Sequence, residues 1–329
     1  MQRLLCDSVP VSRLPVINSA QEIRSSRLFS RGALLIVCAA AVLTISPRLA
    51  IAQADSCGTT TTNHKTERRL AVATAAAAGN AVLFVYFKHA WWSGQPAKTW
   101  WVGNDLNDAQ FANQDKFGHF FGGFNLTRAG TEVLKYACIS DRKALLWAAL
   151  YAYMSQFEIE AYDGTQDIYG FSPDDLAADV AGEFFGILWH RTKWLQNIKP
   201  TFSYSPTSAE RNRNLPGHGG EPRPSVDYAG QTYWFSADVH ALLPERVKPI
   251  WPAFIRLSIG HSVTDFVDPA TGSPLQGRRK IMLSLDLDPE HLPGDNPLWR
   301  SIKHQLSFYH FPAPALQFSP VTRGIAWYR

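Results

Sequence analysis

Two stretches of this chain place an acid at one position, a second ionisable group four residues on and a glycine seven residues on. They are Asp115, His119 and Gly122 in DKFGHFFG, and Asp175, Asp179 and Gly182 in DDLAADVAG. On an α-helix those three positions stack on one face. Leucines at this spacing would be ordinary core. Ionisable groups over a glycine point instead to polar side chains held where two helices touch closely. Buried charge is costly unless paired, so any fold of this chain has to supply the partners.

Helical periodicity covers the region around these stretches. A first helix is expected from about Thr66 to Trp92, uncharged between Leu70 and Phe87. That length just spans a bilayer, and Arg68 and Arg69 at one end with Lys88, Trp91 and Trp92 at the other resemble interfacial anchors. Its alanine content, Gly79 and Asn80 fit a central helix of a soluble bundle equally well, and both readings stay open. A second helix is expected from near Asp115 to Ala137. His119, Gly122, Gly123, Leu126, Gly130 and Val133 share one face; Arg128, Glu132 and Lys135 lie opposite, toward solvent. Phe117, Phe121 and Phe124 also lie opposite His119, so the first turns should be buried or touch lipid there. The third helix, Asp141 to Tyr162, has no charge between Lys143 and Glu158 and is stopped by Gly164. Glu160 and Asp163, at its C-terminal end, oppose the helix dipole and so hint at another use. The fourth starts at Ser172 as N-cap, with Pro173 at N1 and Asp175 completing a capping-box-like S-x-x-D. Capping already accounts for an acid at Asp175 but not for Asp179. Gly122 and Gly182 occupy equivalent places, which predicts that the second and fourth helices cross there.

The period then changes. Pro, Ser, Asn, Arg and Gly dominate residues 199–230, which read as an exposed linker. Beyond it, Ile255, Leu257, Ile259, His261 and Val263 alternate with Arg256, Ser258, Gly260, Ser262 and Thr264. Ile281, Leu283, Leu285 and Leu287 alternate with Met282, Ser284, Asp286 and Asp288. These are half-buried strands; TYWFSAD and ALQFS are weaker ones. A membrane barrel takes at least ~8 strands, and four to six are legible, so a small antiparallel sheet is expected. PLWRSIKHQLSFY reads as an amphipathic helix on that sheet. The fold class is therefore α+β. A helical bundle of about four helices (66–198) and a linker (199–230) precede a β-rich region (231–329).

Composition excludes some roles. Hydrophobic residues make up 46% of 329, enough for a core, while the formal charge of +4 comes without a dense Lys/Arg run. Nucleic-acid binding is not expected. Mean hydropathy is −0.16, too low for a polytopic membrane protein. The N-terminus reads as an export signal with an extended leader (1–52). Arg27 and Arg31 precede the apolar run Ala33–Ile45, Pro47 breaks it, and Ala50-Ile51-Ala52 supplies an A-x-A site before Gln53. A flexible tail (53–65) follows. Cys38, after Val37, and Cys57, after Asp55-Ser56, lack a lipoprotein box. Cleavage after Ala52 would leave Cys57 and Cys138, which an oxidising compartment would allow to pair, although a tail cysteine reaching a helix end is the less expected case.

The chemistry rests on Asp115, His119, Glu160, Asp163, Asp175 and Asp179. Such groups either form a structural polar network or hold a divalent metal or acid–base pair. Glu-x-x-His, His-Glu-x-x-His, G-x-S-x-G and P-loop patterns are missing. Lys116 and Arg191 would serve to neutralise the acids. His261 reads as a satisfied residue on the inner face of a strand, and His304 and His310 as aromatic-flanked residues without partners.

The run DKFGHF, then EAYDG at Glu160 to Gly164, then GFSPDDLAADVAG at Gly170 to Gly182, resembles the YfiM-like predicted periplasmic lipoproteins, an uncharacterised bacterial family. The family's pattern falls on Asp115, Lys116, His119, Glu160, Asp163, Gly170, Ser172, Asp175, Asp179 and Gly182, and the likeness covers about residues 90–190. VanZ-like membrane proteins share the Asp-Lys-x-x-His opening more distantly. The resemblance implies a periplasmic, cell-envelope or outer-membrane-associated protein and supplies no activity. The expected function is that of a structural or interaction protein contacting a membrane surface or envelope component. The alternative is a metal-dependent or His–carboxylate hydrolase acting on an envelope or lipid substrate.

Overall fold

The computed structural model describes residues 57, 62–92, 94–103, 111–167, 169–215 and 224–328. The export signal and its cleavage site, most of the tail, and His218, which the sequence places in the linker, fall outside these residues. Helices come first: α1 (Thr62–Ala90), α2 (Gln114–Tyr136), α3 (Asp141–Asp163) and α4 (Pro173–Arg191). Then come β1 (Ile198–Tyr204), β2 (Gln231–Ala237), β3 (Ile255–Val263), β4 (Arg279–Leu287), α5 (Pro297–Leu306), β5 (Ala313–Ser319) and β6 (Arg323–Tyr328). The six strands form one antiparallel sheet in the order β1-β2-β3-β4-β5-β6. The protein is α+β, helices first.

The sheet begins earlier than the linker reading allows. Residues 198–204 are a strand paired along its length with β2, from Ile198 opposite Ala237 to Tyr204 opposite Gln231. Pro200 and two serines hid it in the composition, and proline is tolerated because β1 lies at an end of the sheet.

α2 is the central helix, and its phenylalanine face is covered by the sheet. Phe117 stacks on His261 at 4.1 Å, Phe120 meets Phe235 at 5.6 Å, and Phe121 meets Phe202 and Tyr233, each at 5.6 Å. Gln114 locks the contact: its Oε1 lies 2.7 Å from His261 Nδ1, and its Nε2 donates to Gln231 O at 3.0 Å. The opposite expectation, that Arg128 and Glu132 face solvent, is corrected. Arg128 is buried, its guanidinium lying 3.7 Å over the Phe308 ring and donating to Glu132 and to Gln305 of α5. His304 bridges Glu132 (3.0 Å) and Glu290 (2.6 Å), so it has partners after all. His310 stacks on Trp234 at 3.9 Å. Aromatic mass on α5 and the chain after it covers these charges, which one-dimensional periodicity cannot show.

The sheet's buried side is the polar one. Arg256, Ser258, Ser236, Ser284 and Asp286 are almost wholly buried around Trp234 and Met282, while Ile259, Leu316 and Phe318 of the other face are exposed. Curling explains this. Phe202 N–H donates to Phe308 O at 3.2 Å and His310 N–H to Phe202 O at 2.9 Å, which brings the residues before β5 to the outer edge of β1. Tyr328 of β6 meets Trp234 of β2 at a ring separation of 5.6 Å. The polar side lies inside the curl and is hydrogen-bonded there: Arg256 donates to Asp286 (2.8 Å), Ser307 O (2.7 Å) and Leu287 O (3.0 Å).

α1 is peripheral, which removes the reading of it as a bundle's central helix. It is long and apolar enough to cross a membrane, and none of its apolar stretch is buried. One polar residue docks it on α3: Asn80 Nδ2 donates to Glu158 Oε2 and Tyr151 O–H donates to Asn80 Oδ1, both at 3.3 Å. Its N-terminal end is tied covalently. Cys57 and Cys138 form a disulfide with a Cα separation of 5.6 Å, joining the segment before α1 to the turn after α2. The tail cysteine therefore does reach a helix end, and such a bond belongs to an oxidising compartment.

A charged seam between three helices

α2 and α4 cross with almost no space between their backbones. A Cβ on Gly182 would lie 2.0 Å from Phe120 O, and one on Gly123 would lie 2.4 Å from Asp179 O. The expected crossing is present at Gly182, but its partner is Gly123 and not Gly122. Gly122 faces α3 instead, where a Cβ would meet Gln156 Nε2 at 3.3 Å. One residue is 100° of helix rotation, so neighbouring glycines necessarily serve different partners.

His119 lies at this crossing with its side chain 20% exposed. Its Nδ1 is 2.9 Å from Asp179 Oδ1, and its Nε2 is 3.7 Å from both Glu160 Oε1 and Asp175 Oδ1. Three helices thus bring four of the six candidate residues together. The other two are drawn aside. Asp115 holds Lys116 Nζ at 3.1 Å, and Lys116 in turn reaches Asp175 Oδ1 at 2.8 Å, so Asp115 joins the seam only through a lysine. Asp163 accepts from Trp92 Nε1 at 2.5 Å and so is turned toward the segment after α1. Arg191, at the far end of α4, forms no ion pair with these acids among the described residues; Lys116 is the neutraliser.

The start of α4 shows why Asp175 is available. Ser172 caps the helix as expected, its Oγ accepting Asp175 N–H at 3.1 Å. In a capping box the N3 acid would return to the cap's own N–H. Here Glu160 Oε2 of α3 takes Ser172 N–H at 3.0 Å, leaving the Asp175 carboxylate for Lys116 and His119. Gln156 was not foreseen. Its Nε2 donates to His119 O at 3.1 Å and also contacts Asp179 Oδ1. The signal was present, since Gln156 and Glu160 repeat the i, i+4 spacing on α3.

Electrostatically the seam is acid-rich. Asp115, Glu160, Asp175, Asp179 and Glu183 surround Lys116 and His119. Desolvation pulls the His119 imidazole down, but Asp175, Asp179 and Glu160 together hold it up at about 10. Burial pushes Glu160 to about 8 against the opposing pull of His119. Burial likewise raises Asp175 to about 6, and burial with the Asp179 charge raises Glu183 to about 7. All four groups bind their protons more tightly folded than unfolded. The stability they contribute is whole at low pH and drains as pH rises, from about 4 to 8 for the acids and from 6.5 to about 10 for His119. At Glu132 and Glu290 burial is outweighed by cationic partners, and both carboxyls fall to about 2, so their contribution is lost only below the ordinary carboxylate range. Thermal melts of the metal-free protein should therefore peak near pH 4–5 and decline toward pH 10. A maximum at pH 8 would contradict the seam's electrostatics.

Residues 100–191 match the model of a family described as predicted periplasmic lipoprotein (DUF2279). The matched stretch runs from Trp100 through α2, α3 and α4, and so contains every residue of the seam. The chain is similar to that family over this part of its length, and the location this supports is periplasmic or envelope-associated. No curated protein and no solved structure gives a significant match.

Proposed function

We propose that this chain is an exported envelope protein that rests against a lipid bilayer through the outward faces of α1, α3 and α4, with the charged seam as its internal brace. One observation carries the reading. On α3, Leu146, Trp147, Leu150, Met154 and Phe157 are exposed, and on α4 Val180, Phe184 and Leu188 form an exposed stripe at i, i+4 and i+8. Exposed apolar surface on this scale marks an interaction site. Its composition favours lipid over a protein partner. The α3 stretch from Ala144 to Phe157 is uncharged, and Trp100, Trp101 and Trp194 stand exposed near its ends, as aromatic side chains do at a membrane interface. At 1.5 Å per residue that stretch is about 21 Å long, short of the ~30 Å hydrocarbon core, which fits a face lying in one leaflet. The seam sits behind this face. Its carboxylates keep α2, α3 and α4 in register where the close glycine contacts of α2 with α3 and α4 leave little room for apolar packing. The finer kinship, to YfiM-like proteins through the pattern from Asp115 to Gly182 and more distantly to VanZ-like proteins through Asp115-Lys116-x-x-His119, agrees with this placement.

Vesicle flotation tests the reading. Protein purified from the envelope fraction should float with phospholipid vesicles. Trp147→Glu combined with Phe184→Glu should abolish flotation while leaving the circular dichroism spectrum unchanged, since both side chains are more than half exposed. Native protein that stays at the bottom of the gradient would refute it. A second reading, a His–carboxylate hydrolase acting on an envelope or lipid substrate, draws on the His119–Asp179 pair, which orients the imidazole through Nδ1 and turns Nε2 toward two acids. It requires ester or phosphoester turnover that Asp179→Asn removes.

A further inference from the structure

We propose that His119 Nε2, Glu160 Oε1 and Asp175 Oδ1 form the seat of a divalent cation of the zinc class. The three atoms come from α2, α3 and α4 and lie within 4.8 Å of one another. The two spacings of 3.7 Å from Nε2 to the carboxylate oxygens are too long for hydrogen bonds. They suit a shared ion: two donors each about 2.1 Å from a metal, at angles between tetrahedral and trigonal, stand roughly 3.4–3.6 Å apart.

An independent observation points the same way. Glu160 is 1% exposed, and its Oε1 carries no hydrogen bond among the described residues, although Oε2 is held by Ser172 N–H. A buried carboxylate oxygen fixed in place by its sister atom, without a hydrogen bond and 3.7 Å from an imidazole nitrogen, has a lone pair free for an ion between them. The outer partners are those a metal ligand needs. Asp179 takes the other ring nitrogen of His119 at 2.9 Å, which sets the tautomer and presents Nε2 to the ion. Lys116 Nζ, 2.8 Å from Asp175 Oδ1, holds the position of a cation already, so ion uptake would displace one ammonium contact. An imidazole among the donors favours a first-row transition metal over Mg2+ or Ca2+, which take oxygen ligands. Three protein donors leave a further coordination position for water, and the exposed edge of His119 gives a way in.

This inference does not rest on bilayer docking, and its test uses no lipid. The full protein, stripped with chelator, is titrated with Zn2+ by calorimetry, with Mg2+ as comparison, and melted with and without each ion. We expect one Zn2+ bound per chain, a melting temperature raised by Zn2+ and little response to Mg2+. Glu160→Gln keeps an oxygen for Ser172 N–H and removes a buried acid, so the metal-free variant should melt no lower than native. Its zinc affinity should fall by more than the ~10–100-fold lost when only an outer partner is removed. Native protein that neither binds Zn2+ nor gains melting temperature would overturn the proposal. So would a folded Glu160→Gln variant that binds Zn2+ as tightly as native.

Discussion

Replacing His119 with alanine should lower the stability of the metal-free protein by about 3–5 kcal/mol at pH 8, the cost of breaking a buried charge pair from one side. Removing the imidazole strips Asp179 of its 2.9 Å partner and leaves Glu160 and Asp175 facing each other without the charge between them. Asp179 keeps only the Gln156 amide, which is neutral. For a chain of this size the loss corresponds to a fall in Tm of roughly 10 °C. The pH dependence separates this cause from a simple cavity. The His119 imidazole, held up at about 10, contributes its full charge-linked stability below pH 6.5 and has lost part of it by pH 8. The penalty should therefore be larger at pH 5 than at pH 8, whereas a cavity would cost the same at both. Melts of native and variant at pH 5 and pH 8, in chelator, measure the difference. Equal melting temperatures at pH 8 would mean that the seam is solvated and carries no stability.

Gly182→Leu should be more damaging still, and Gly182→Ala nearly as informative. Even one methyl at this position would stand 2.0 Å from Phe120 O and 2.8 Å from its carbonyl carbon, and neither atom is the movable end of a side chain. The two backbones have to separate. Overpacking of this kind costs about 3 kcal/mol or more. The damage spreads, because Asp179 is one turn before Gly182 and its bond to His119 depends on the same close approach. Gly122→Ala is the control. Its Cβ would meet only the side-chain amide of Gln156, at 3.3 Å from Nε2 and 3.8 Å from Cδ, and alanine gains up to ~1 kcal/mol of helix propensity over glycine. Chemical denaturation of the three variants should rank Gly182→Leu below Gly182→Ala, with Gly122→Ala close to native. A Gly182→Ala variant as stable as native would show that the two helices do not cross at this residue.

Local chemistry made much of the seam legible. The i, i+4, i+7 spacing placed His119, Asp179 and Gly182 on contacting faces, and the Ser172–Pro173 start located α4 to the residue. The acids at the C-terminal end of α3 violate the helix dipole, and that violation marked Glu160 and Asp163 together. What the spacing could not do was choose among neighbours. Glu160 and Asp163 looked equivalent until Trp92 claimed Asp163. Gly122 and Gly123 looked interchangeable until rotation of α2 assigned them to different helices. Asp175 looked like a cap until Glu160 took over half of that task.

The sheet teaches the converse. Alternation in β3 and β4 marked two faces but could not say which one would be inside, because period two is blind to curvature. The curl encloses the polar face, where Arg256, Asp286 and the serines satisfy one another, and leaves Ile259, Leu316 and Phe318 outward. Likewise, Arg128 and Glu132 have a solvent-facing period, yet Phe308 and His304 cover them from about 175 residues away. By itself the sequence determined the helices, their caps, four of the six strands (β2 to β5) and the set of ionisable groups that needed partners, since all of these follow from interactions within a few residues. The Cys57–Cys138 bond, the pairing within the seam and the inside of the sheet were decided only in the tertiary structure, because each depends on which distant surfaces meet and no short-range rule encodes that.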